Sequence, residues 1–66
     1  MSSGALQGRE IIIEMNAIGS LVKVSAFDVA TMTEISIQGP ASAGQEMLKK
    51  NALNRLEYVM KKKGIL

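Results

Sequence analysis

The chain has 66 residues, a net charge of +2, and neither Cys nor His. A domain of this length buries only about 60% of the surface its unfolded chain would expose. Disulfides and structural zinc are excluded by residue type, which leaves tight packing or self-association as the means of stabilisation.

Residues 1–8 are rich in Ser, Gly and Ala and show no periodicity, which predicts a disordered N-terminal tail. They contain no basic start and no apolar core, so no signal peptide is expected. No apolar run approaches the roughly 20 residues of a membrane span. The expected location is cytoplasmic.

Residues 9–66 read as a single β-β-β-α domain. Alternation begins after Glu10: Ile11, Ile13, Met15 and Ala17 share one face, and Ile12, Glu14 and Asn16 the other. Consecutive β-branched residues favour a strand here. Gly19-Ser20 is a turn signal, and Val22, Val24 and Ala26 then alternate with Lys23, Ser25 and Phe27. Asp28 can fix the next connection by accepting from backbone N–H groups one or two residues on, backed by the Thr31 hydroxyl. One carboxylate does not make a calcium shell, so the expected role of Asp28 is structural. Ile35 and Ile37 mark a third strand, ended by Gly39-Pro40. The fold class expected is α+β: a three-stranded antiparallel meander over about 9–17, 21–28 and 33–39, with one C-terminal helix over about 43–62 packed on one face.

Ser42 followed three residues later by Gln45 reads as a capping box and places the helix start near Ala43. At about 100° per residue, Leu48, Val59, Ala52, Leu56, Met60 and Leu53 fall within about 140° of one another, an apolar stripe wide enough to cover the sheet. Glu46→Lys50 and Glu57→Lys61 are spaced as i,i+4 ion pairs. Gly64 is a natural stop.

These residue types bound the chemistry. Without His or Cys, the common proton carriers and nucleophile–base pairs are missing, and no Gly-rich phosphate loop is present. The expectation is no catalytic residue, no cofactor, no metal and no membrane partner. Lys49, Lys50, Arg55, Lys61, Lys62 and Lys63 make the helix basic against Glu46 and Glu57, while the sheet half is mildly acidic. Lys49, Lys50, Arg55 and Lys61 are therefore candidate nucleic-acid contacts, although on a helical wheel they scatter. Ile12, Phe27 and Tyr58 remain off the core-facing positions and are candidates for an association surface. The expected function is a non-enzymatic interaction or regulatory module acting as a homodimer, with nucleic-acid binding as the alternative.

Val22-Lys23-Val24, Asp28-Val29-Ala30-Thr31, Thr33-Glu34-Ile35-Ser36, Gly39-Pro40-Ala41 and Leu56-Glu57-Tyr58-Val59 together resemble a family of short bacterial proteins of unknown function. The family pattern favours Gly where Met32 stands. The resemblance spans about Arg9 to Lys62 and implies a stand-alone cytoplasmic domain, with no activity or binding residues attached. More faintly, the order of elements is similar to the later part of a double-stranded RNA-binding domain, whose last helix opens on lysines. Here that place holds Gln45 and Glu46, with Lys49-Lys50 a turn later.

Overall fold

A computed structural model describes residues 4–66. Three strands, β1 (Ile11–Ile18), β2 (Leu21–Asp28) and β3 (Thr33–Pro40), form an antiparallel sheet in the order β1-β2-β3. One helix, α1 (Gln45–Lys62), packs on one face. The α+β meander expected from the alternation is the observed fold.

Both ladders run without a bulge. Ile18 pairs with Leu21 across a two-residue turn in which Gly19 takes φ 60. A positive φ at the first central residue alone is the type II′ geometry, whose twist matches paired strands. Asp28 pairs with Thr33 across a four-residue loop. β3 continues through Pro40, one residue beyond the expected end. Ladder alternation aims the nitrogen of Pro40 away from β2, so its missing N–H removes no bond.

The predicted capping box does not form. Ala41–Ala43 is a 3-10 turn closed by Gly44 N–H donating to Ala41 C=O at 3.2 Å. Ser42 is consumed inside that turn. Gly44, at φ 88 and ψ 149, is the N-cap, and no side chain caps the helix. The chain can redirect sharply there because Gly has no Cβ. The C-terminus follows expectation: Gly64 N–H donates to Lys61 C=O at 3.1 Å and Ile65 N–H to Met60 C=O at 2.9 Å. These two bonds, with Gly64 at φ 78, define a Schellman motif.

The core lies between α1 and β2. Leu48, Ala52, Leu56 and Met60 form a buried seam at four-residue spacing over Val24 and Ala26. Leu53, half-buried, packs at its margin, so the seam is narrower than the predicted stripe. Leu6 also enters the core, and Gly4–Leu6 forms a 3-10 turn. The expected disordered tail therefore does not extend through residues 4–8; its first three residues lie outside the described residues. Of the two predicted helix ion pairs, Glu57–Lys61 closes at 2.9 Å, and Glu46 and Lys50 form no ion pair.

Candidate functional site

Helix α1 seats chiefly on β3 and β2. That offset leaves β1 under-covered. Ile11, Ile13 and Met15 point to the helix side yet are only half-buried, and Ala17 is exposed. β1 is also an edge strand. Val29 N–H donates to Glu10 C=O at 3.1 Å, so the backbone of Glu10 is turned toward β2. Alternation then turns the backbone groups of Ile12, Glu14, Asn16 and Ile18 toward β2, and those of Ile11, Ile13, Met15 and Ala17 toward the open edge.

The opposite face of the sheet carries no helix. Its rows follow from the register. Ile12, Phe27 and Glu34 form one; Glu14, Ser25 and Ser36 the next; then Asn16, Lys23 and Gln38; then Ile18, Leu21 and Pro40. Apolar rows thus lie at both ends, with two polar rows between them. The Ser25 and Ser36 hydroxyls lie 3.1 Å apart and satisfy each other. Ile12, Ile18 and Leu21 are 45%, 66% and 48% exposed.

Of the three residues predicted for an association surface, Ile12 and Phe27 are direct cross-strand partners. Tyr58 is not with them: it projects from α1, which covers the other side of the sheet. The signal for Ile18 and Leu21 was present in two large apolar residues flanking the Gly19-Ser20 turn, but their place on the open face depends on the register.

The basic residues divide into separate groups. Lys49 and Lys50 border an open depression of about 870 Å³ beside the first turns of α1, with Gly44, Met47 and Leu53. Arg55 lies 5.4 Å and Lys62 5.8 Å from the centre of the Tyr58 ring, within cation–π range. Lys61 is held by Glu57. The four predicted nucleic-acid contacts therefore do not form one patch. The Arg55–Tyr58–Lys62 group was legible as spacing i−3 and i+4 about Tyr58.

Asp28 sits at the β2 end, fully buried. Its Oδ2 accepts from Arg9 at 3.2 Å, from Thr31 N–H at 3.2 Å and from the Thr31 hydroxyl at 2.6 Å. The side chain thus reaches three residues on rather than the one or two expected of it. Thr31 and Thr33 hydroxyls lie 2.9 Å apart. Asp28 Oδ1 is buried and accepts no bond. The cluster ties the segment before β1 to the β2–β3 loop, and three of its bonds converge on one oxygen. Among the described residues, no three His, Cys, Asp or Glu side chains come together as a metal site. Nor is any described helix long and apolar enough to cross a membrane.

The model of a domain of unknown function, DUF6898, matches residues 8–63. The chain belongs to this family. The match takes in all three strands, the helix and the Arg9–Asp28 cluster, so the DUF6898 unit is the β-β-β-α domain itself. No curated protein and no solved structure matches the chain.

Proposed function

We propose that this DUF6898 domain is a non-enzymatic interaction module that works as a homodimer. The observation that carries the reading is the offset of α1. It leaves Ile11, Ile13 and Met15 half-covered on one side of β1, while Ile12, Ile18 and Leu21 stand exposed on the other. These apolar side chains flank the β1 edge on both faces of the sheet, and exposed apolar surface gathered at one edge marks an association site. Small domains without disulfides or metals commonly gain stability by oligomerisation. That the module works in the bacterial cytoplasm rests on the family resemblance alone. Sedimentation equilibrium should give the dimer mass at micromolar concentrations; a monomer at high micromolar concentration would overturn the proposal.

A second reading, nucleic-acid binding by the helix, is favoured by the Arg55–Tyr58–Lys62 group, with Lys49, Lys50 and Lys61 elsewhere on α1. It predicts retention of RNA or DNA that falls steeply with salt, because phosphate contacts release counterions. No retention at low salt would exclude it.

A further inference from the structure

We infer that two copies join edge to edge through β1, antiparallel, with Met15 of each protomer opposite the partner's Met15. The inference rests on the homodimer reading and specifies its interface.

β1 offers an edge that little protects. It contains no Pro, Gly or Lys, it is not bulged, and its single charge is Glu14. Edge strands are ordinarily blunted by such devices. The opposite edge of the sheet ends in Pro40, which has no N–H to offer. On β1, Ile13, Met15 and Ala17 carry backbone groups turned outward, and among the described residues none of these is taken up by another segment. A second copy can therefore add about six ladder bonds in this register.

The register is chosen by side chains. A twofold axis normal to the sheet keeps both helices on one side and pairs residues of like facing. Centring it on Glu14 sets two like charges directly opposite, which is destabilising. Centring it on Ile13 pairs only Ile11 to Met15. Centring it on Met15 pairs Ile12 to Ile18 and makes every row agree. On the helix side, Ile37, Val24 and Met15 meet the partner's Met15, Val24 and Ile37, and Ile35, Ala26 and Ile13 meet the partner's Ala17 and Val22. On the open side, Ile18 and Leu21 meet the partner's Ile12 and Phe27, which fuses two separate apolar ends into one band. Asn16 and Lys23 meet the partner's Glu14, so each end of the seam gains a complementary acid and base on either side of an amide. Centring on Glu14 supplies no such match, and centring on Ile13 sets the partner's Glu14 against Ile12 and leaves Ile18 and Leu21 unpaired.

The absence of native Cys makes the test direct. In this register Met15→Cys places two Cα atoms about 5.5 Å apart, within the span of a disulfide. Glu14→Cys homodimers would be separated by about 8 Å, beyond it. Mild oxidation should crosslink M15C at least about tenfold faster than E14C, the difference expected when only one pair lies in range. Met15 is half-buried, so a second pair guards against disturbed folding. Glu14→Cys mixed with Asn16→Cys, both at exposed sites, should form the crosslinked heterodimer in preference to either homodimer. A wild-type dimer in sedimentation whose crosslinks appear fastest at E14C or at Ile13→Cys, or at none of these positions, overturns this interface and leaves self-association standing. A wild-type monomer overturns both.

Discussion

The Cδ2 methyl of Leu48 occupies the space in which a side chain at position 39 would begin, so Leu48 of α1 packs directly over the Gly39 backbone of β3. The backbone of Gly39 is not in the left-handed region; what a Cβ would meet is the end of the buried Leu48 side chain. Gly39→Ala should push the helix off the sheet or force Leu48, 3% exposed, out of its rotamer. Overpacking of this kind costs about 1–3 kcal/mol. Urea denaturation measures it, and Leu48→Ala in the G39A background should cost less than Leu48→Ala alone, because it relieves the clash.

At the helix N-terminus the two residues that look like caps exchange importance. Ser42→Ala should change stability by less than about 0.5 kcal/mol, against about 1 kcal/mol for loss of a true cap, because no side chain caps α1. Gly44→Ala forces a Cβ onto φ 88, ψ 149, a region almost reserved for Gly, and should cost about 1–3 kcal/mol. Thermal melts of the two variants compare them; equal effects would restore Ser42 as the cap.

Met32 holds φ 57, the sole described non-Gly residue with positive φ, and is 75% exposed. Its side chain gains little from packing while its backbone sits where a Cβ is crowded. Met32→Gly should stabilise the fold by up to about 1 kcal/mol, the strain relieved less the added freedom of the unfolded chain. A lower denaturation midpoint for M32G would contradict it.

Asp28 Oδ2 gathers three hydrogen bonds on a carboxylate that is itself fully buried. Asp28→Ala leaves Thr31 N–H and the Arg9 guanidinium without that acceptor. With charge-assisted bonds worth about 1.5–3 kcal/mol each and partial compensation by water at half-buried Arg9, a loss of about 3 kcal/mol is expected. Thr31→Val, which removes only the hydroxyl and leaves the Arg9 and Thr31 N–H bonds in place, should cost about 1.5–2 kcal/mol. Equal losses would mean that the carboxylate matters only through Thr31.

The meander was legible because its strands alternate cleanly between turn residues whose chemistry is local. Ile11 to Ala17 could hardly be read otherwise, and Gly19-Ser20 and Asp28 to Thr31 bound β2 on both sides. What escaped was decided by distance in space rather than pattern. Leu6 lies in a stretch of small polar residues, and only contact with the core orders it. Ser42 matches a capping box in spacing, yet the 3-10 turn after Pro40 shifts the helix start past it. The offset of α1 from β1 is a matter of packing, with Leu48 seated over Gly39 of β3. The candidate surface was half visible for the same reason: Ile12 and Phe27 are revealed by alternation, whereas joining Ile18 to Leu21 and separating Tyr58 from them takes the register and the third dimension.

Charge offers a last test, one that leaves the monomer intact. Glu14, Asn16 and Lys23 are exposed on the open face, where substitutions alter folding little. In the Met15-centred dimer, each Glu14 faces the partner's Asn16 with the partner's Lys23 beyond it. Glu14→Lys should weaken association several-fold at low ionic strength, since exposed pairs are worth about 0.2–1 kcal/mol and two occur per dimer. Lys23→Glu should do the same. Combined in one chain, the two substitutions re-create the match with signs reversed and should recover most of the affinity. Added salt should shrink all three differences, because such pairs are screened. Sedimentation at two salt concentrations measures the set. Additive weakening in the double variant would place Glu14 and Lys23 in separate environments and remove this register.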